Sequence, residues 1–232
     1  MTTKKFNTTL EVIMKYKNFI FDLDGTLLDT VTDLQNSINY ALSLYGYGKK
    51  SYDEVRSFLG NGIRRLVELS VPNGVDNKNF DHILQEFMTY YNNHLIDCTL
   101  PYENIIAMLD ILKKNKCKIA IVSNKADAFV KNLVDTFFRG YVDISIGQNE
   151  KIRQKPHNDM VEYTLRNLNI AKNDSVYLGD SEVDIETAKN SGLDCICVSW
   201  GFRSREQLLN SGAKIIVDSP LQIPNYMDVN ND

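Results

Sequence analysis

The chain has 232 residues, 43% of them hydrophobic and 24% charged, and its formal net charge is -4. It is long enough to bury a core without staples, as one large domain or as a core carrying an insert. The acidic balance excludes a global basic field toward nucleic acid or an anionic membrane, and leaves open a local cationic pocket for a small anion.

Residues 1–16 read as an N-terminal extension, polar through residue 13, with Met14 a candidate initiator and no leader-like apolar core. The apolar run Asn18–Asp22 reads as a first strand, followed by Leu23, Asp24 and Gly25. Residues 31–100 contain no convincing strand. Thr32–Leu44, Ile63–Leu69 and Phe80–Ile96 show helical spacing instead, and Ser51 with Glu54 has the form of a capping box. So long a stretch exceeds an ordinary crossover, and it is expected to form an inserted helical module above the first strand. Further on, the apolar runs Lys118–Ser123, Val142–Gly147, Ser175–Gly179 and Cys195–Trp200 alternate with helical patterns. Pro156 suits the first turn of a helix ending near Leu168, and Gly192 the stop of a helix over Glu182–Ser191. Ser204 with Gln207 forms another capping-box pattern. Such alternation predicts an α/β fold, a parallel sheet with helices on both faces. No run approaches membrane-spanning length. Cys98, Cys117, Cys195 and Cys197 show no pairing pattern and suit a reducing compartment.

Chemistry-bearing residues stand just past the strands. Asp22 and Asp24 follow the first, Ser123 and Asn124 the second, Lys155 precedes the helix after the third, and Asp180 and Asp184 follow the fourth. A parallel sheet gathers these ends at one rim. Residues two apart in a strand project to one side, so Asp22 and Asp24 are expected to stand together. Like charges so placed require a cation, a proton or both. The set suits phosphoryl transfer: a carboxylate attacks phosphorus, magnesium neutralises the acids, and a lysine and a hydroxyl steady the equatorial charge. A second carboxylate supplies acid–base catalysis.

Competing local readings are caps and turns, above all for Asp184 at a helix start. Gly60-Asn61-Gly62 either separates two helices or, with Arg64 or Arg65, reaches a substrate carboxylate. The Tyr90-Tyr91 pair reads as packing, and His82, His94 and His157 have no metal-ligand spacing.

The residues Asp22-Leu23-Asp24-Gly25-Thr26, Ser123, Lys155 and Gly179-Asp180-Ser181 with Asp184 resemble, in order, the four motifs of the haloacid dehalogenase superfamily of phosphotransferases. The resemblance runs from about residue 17 to 220. It implies a Rossmann-like core at 17–30 and 101–232 and an all-helical cap domain at 31–100. It also implies Asp22 as nucleophile and Asp24 as general acid/base, with Mg2+ held by Asp22, the Asp24 backbone carbonyl and Asp180, supported by Asp184. Ser123, Asn124 and Lys155 would hold phosphate, and Asn61 and Arg64 of the cap would meet the substrate. Leu59-Gly60-Asn61-Gly62-Ile63-Arg64, Val122-Ser123-Asn124-Lys125 and Val198-Ser199-Trp200-Gly201-Phe202 are most similar to phosphoglycolate phosphatases. The expected activity is Mg-dependent hydrolysis of a small phosphorylated metabolite, best guess 2-phosphoglycolate, in the cytoplasm, without nucleic acid or membrane partners. A sugar-phosphate or nucleotide phosphatase, a phosphomutase, a phosphorylation-dependent signalling protein and a catalytically silent binding protein are the alternatives. Oligomeric state is not legible.

Overall fold

The structure is a computed structural model that describes residues 15–228. The expected extension therefore lies outside the described residues through residue 14. Tyr16 itself belongs to the core: its ring is buried, its hydroxyl donates to Asp194 at 2.9 Å, and its backbone bonds Tyr226 and Asp228.

The chain runs through β1 (Asn18–Phe21) and β2 (Leu28–Asp29), then α1 (Val31–Ser43), α2 (Tyr52–Phe58), α3 (Ile63–Ser70) and α4 (Phe80–Asn93), and returns by β3 (Leu100–Pro101). Next come α5 (Ile105–Lys114), β4 (Lys118–Ala126), α6 (Asp127–Phe137), β5 (Ile144–Gln148) and α7 (Asp159–Leu168). The last elements are β6 (Ser175–Gly179), α8 (Glu182–Ser191), β7 (Asp194–Val198), α9 (Arg205–Asn210) and β8 (Ile215–Val217).

Six strands form a parallel sheet in the order β5-β4-β1-β6-β7-β8. The chain builds outward from β1 on one side through β4 and β5, then crosses back to build β6, β7 and β8 on the other. The crevice beside β1 is thus the switch point, where open α/β sheets bind ligands.

Strand alternation divides the core in two. Phe19, Phe21, Ile119, Ile121, Val176 and Leu178 face one cluster with α5 and α6, through residues such as Leu109 and Val130. Ile20, Ala120, Val122 and Tyr177 face the other, with Met160 and Val161 of α7 and Ala188 of α8. Helices therefore cover both faces, as the alternation of apolar runs predicts.

Between β2 and β3 the helices α1 to α4 pack on one another. The two-residue strands pair antiparallel, Leu28 with Pro101 and Asp29 with Leu100, so this helical segment enters and leaves at one point. The buried Asp33 carboxylate reinforces the junction by accepting from the Cys98 and Thr99 amides and the Thr99 hydroxyl, at 2.8–3.0 Å.

Both expected capping boxes form, at Ser51–Glu54 and Ser204–Gln207, and Gly192 ends α8 with φ of 69°. Pro156 differs from expectation, because α7 begins only at Asp159. The Asn124 side chain takes the Lys155 backbone N–H at 2.8 Å and donates to its carbonyl at 3.1 Å. Those groups are unavailable to a helical turn, so the segment stays a loop pinned to β4. The short edge strand β8 also escapes the sequence reading, its three residues being too few for a periodic signal.

Candidate active site

The β1 strand ends at Phe21, one residue before the first acid. The chain then turns through Leu23–Leu28, with Gly25 in the left-handed region at φ of 86°. The two carboxylates take different partners, yet both line one cavity at the end of β1.

The Asp22 carboxylate instead joins Asp180 and Asp184, whose ligand atoms all lie within 4.8 Å of one another and are all buried. Lys155, also buried, places Nζ 2.8 Å from Asp22 Oδ1 and 2.7 Å from Asp184 Oδ1. Three carboxylates against one ammonium leave two negative charges uncompensated when all are ionised, a balance that a divalent cation corrects. The donors are hard oxygens, which suit such an ion. Asp180 is held from both sides, by the Thr26 hydroxyl at 3.0 Å and the Phe202 amide at 2.6 Å. The packing behind it is tight: a Cβ on Gly25 would sit 2.5 Å from Asp180 Oδ2, and one on Gly201 would overlap Asp180 itself.

Asp184 combines both of its sequence readings. Its Oδ2 accepts from Ser181 N–H at 3.1 Å and Ser181 Oγ at 2.6 Å, as a capping residue of α8 does. Its Oδ1 faces Lys155 and accepts from the Tyr177 hydroxyl at 3.3 Å.

Asp24 pairs with Lys125 Nζ, at 2.9 and 3.2 Å to its two oxygens. Lys125 follows Ser123 by two on β4, and its N–H donates to Ser123 Oγ at 3.2 Å. Strand spacing alone marks Lys125 as a companion of Ser123, yet the sequence reading assigned it no role. Asn124 lines the site but spends its amide on Lys155 and on the Gly60 carbonyl at 3.3 Å.

Burial raises the Asp22 carboxyl well above the usual range, Lys155 opposes this, and Asp184 and Asp180 add to it. Asp180 is pushed up to about 7 by burial and by Asp184, against the Phe202 and Thr26 hydrogen bonds. For Lys155 burial opposes the charge, but Asp184 and Asp22 outweigh it and hold the ammonium protonated.

Asp22, Asp24, Ser123, Asn124, Lys125 and Lys155 line a small cavity of about 40 Å3, roofed by Leu34, Leu59, Gly60, Gly62, Ile63 and Leu66. That is room for about three waters. The helical segment thus covers the rim. Asn61 and Arg64 line an adjoining outer cleft that shares only Gly62 with the cavity. Arg64 packs over Phe80 at 4.7 Å and faces Asp81 at 3.9 Å. Four side-chain bonds join core and cover among the described residues: Arg203 to the Leu59 carbonyl at 3.0 Å, Asn124 to the Gly60 carbonyl, Arg56 to the Gly201 carbonyl, and Lys125 to the Tyr91 hydroxyl at 2.6 Å.

A buried carboxylate cluster and lysine at the switch point of a parallel sheet suit an α/β protein of the phosphoryl-transfer class. The family model for haloacid dehalogenase-like hydrolases matches residues 19–198, and the chain belongs to that family. It is 28% identical over 207 residues to phosphoglycolate phosphatase 1 of Pseudomonas aeruginosa, covering 86% of this chain and 75% of the relative. The Aquifex aeolicus phosphoglycolate phosphatase is 30% identical over 184 residues, 79% of this chain and 84% of the relative. A solved structure from Lactobacillus delbrueckii, provisionally named a phosphoglycolate phosphatase, superposes with a TM-score of 0.88 at 34% identity, over 93% of this chain and all of the other. The chain is an enzyme of the phosphatase class. No helix among the described residues is long and apolar enough to cross a membrane.

Proposed function

We propose that the protein is a Mg2+-dependent phosphomonoesterase that works through an aspartyl phosphate on Asp22, with 2-phosphoglycolate as substrate. The observation carrying this reading is the gathering of Asp22, Asp180 and Asp184 in one buried cluster, with Lys155 paired to Asp22 and Asp184, at a cavity that Asp24 also lines. Asp22, Asp180 and the Asp24 backbone carbonyl would hold Mg2+, with Asp184 in support. The bound ion supplies neutralisation of the carboxylates and of the phosphoryl oxygens.

In the first step an Asp22 oxygen forms a bond to phosphorus while the bond to the leaving oxygen breaks, and Asp24 gives that oxygen a proton. In the second, water attacks the same phosphorus, Asp24 takes the water's proton, and phosphate leaves with Asp22 restored. Lys155 and Ser123 stabilise the equatorial phosphoryl oxygens, and Asn124 positions Lys155 through its backbone.

Residues 31–100 act as a cap over a core of residues 17–30 and 101–232. The small covered cavity supports a small substrate and entry with the cap lifted, Asn61 and Arg64 meeting it on the way in. The names of the relatives support 2-phosphoglycolate in particular. The free cysteines support a reducing, cytoplasmic setting. Phosphate release from 2-phosphoglycolate, sugar phosphates and nucleotides, with and without Mg2+, tests the reading. Preference for 2-phosphoglycolate is expected. A relocated phosphate without free phosphate would make the enzyme a mutase, and inactivity on every ester would reject the reading.

A further inference from the structure

One hydrogen-bonded chain links the helical segment to the proposed acid–base carboxylate. Tyr91 of α4 is fully buried, its ring 5.5 Å from Phe87 and 5.3 Å, edge-on, from Phe129. Its phenol oxygen accepts from Lys125 Nζ at 2.6 Å, and the same ammonium donates to both oxygens of Asp24. Three parts of the chain meet at one buried cation: α4 above, β4 below, and the loop after β1. Packing alone gives no reason for a lysine here, since an apolar side chain fills such a site without the cost of burying charge.

We propose that Lys125 and Tyr91 are positioning residues for Asp24, and that Tyr91 makes the acid–base step depend on closure. With the helical segment seated, the phenol fixes the ammonium, and the ammonium fixes the Asp24 carboxyl group toward the leaving oxygen. With the segment lifted, Tyr91 departs with α4, Lys125 is hydrated, and Asp24 loses its fixed partner. Proton delivery is then confined to a covered, water-poor site. Lys125 keeps its protons throughout. This inference rests on the proposed role of Asp24 and adds two residues and a gating contact to it.

The test compares kcat/KM for 2-phosphoglycolate, whose alkoxide must be protonated, with that for p-nitrophenyl phosphate, whose phenolate leaves unaided. That ratio covers only the steps through the first phosphoryl transfer, before water attacks. Tyr91→Phe is expected to lower it about tenfold, and Lys125→Met about a hundredfold, on 2-phosphoglycolate. Both should lose less than about threefold on p-nitrophenyl phosphate, and the double variant should be no worse than Lys125→Met, as for residues acting through one group. A general loosening of the fold would slow both esters alike, and equal losses overturn the proposal, as does an unaffected Tyr91→Phe. That variant deletes a single oxygen, so it carries the test if Lys125→Met does not fold. Wild-type inactivity on every ester of the substrate panel, these two included, would instead reject the phosphatase reading, and this proposal with it.

Discussion

Lys155 holds its ammonium 2.8 Å from Asp22 Oδ1, and both side chains are buried. The pair is the electrostatic centre of the site, because Asp184 shares the same ammonium and Asp180 lies within the same cluster. The ammonium offsets the cost of burying its two carboxylate partners, whereas the carboxylates raise the cost of one another.

Replacing Asp22 by Asn keeps the shape and removes the attacking oxyanion. Turnover should fall on the order of a thousandfold or more. Because the change also removes a raised carboxyl from beside Asp180 and Asp184, the metal-free variant should melt no lower than the wild type. Phosphate release together with a thermal melt reads both expectations, and near-normal turnover would remove Asp22 from its role.

Lys155→Met should fail differently. It strands Asp22 and Asp184 without their shared cation, and breaking a buried pair from one side costs about 3–5 kcal/mol. Urea denaturation without added metal should show that loss. Divalent ion should restore part of it by supplying the missing positive charge, and an unchanged midpoint would contradict the account.

Asp180 gives the metal-free protein a distinctive pH dependence. Its folded pKa, about 7, lies above the unfolded value of 3.8, so the folded state holds a proton that the unfolded state releases between those limits. This contribution is fully present below about 4 and is lost as pH rises through about 7. A divalent ion competes with that proton. The rise in Tm caused by Mg2+ should be small at pH 5 and largest near pH 8, and Asp180→Asn should flatten the difference. A rise equal at both pH values would argue against Asp180 as a ligand.

Gly201→Ala probes the packing behind the carboxylate cluster without replacing a charged group. The new methyl would overlap Asp180 and the Gly25 carbonyl oxygen. Overpacking of this kind costs about 1–3 kcal/mol, and relief requires Asp180 to move. Loss of the Mg2+-induced Tm rise, beyond the loss of basal stability, is the expected signature in paired melts.

Much of the frame was readable in the chain itself. The runs around Asn18, Lys118 and Ser175 became β1, β4 and β6, while Ser51, Ser204 and Gly192 bounded helices as expected. Apolar periodicity and capping act within a few residues, so a linear reading captures them. The same reading brought Asp22, Lys155 and Asp180 to one rim, because alternation makes the strands parallel and parallel strands end on the same side.

Tertiary structure decided how the charges pair. Asp24 and Lys125 lie 101 residues apart, and they meet because β1 and β4 pair as neighbours in the sheet. Tyr91 looks in sequence like one more packing aromatic, and its phenol gains a partner only where α4 meets Lys125 near the end of β4. Arg64, an expected substrate contact on its helix, faces an outer cleft because α3 presents Ile63 and Leu66 to the cavity, with Gly62 just before it. Residue identity sets which groups are available. Coulomb energy and desolvation depend on distance and burial, and those exist only once distant segments are packed.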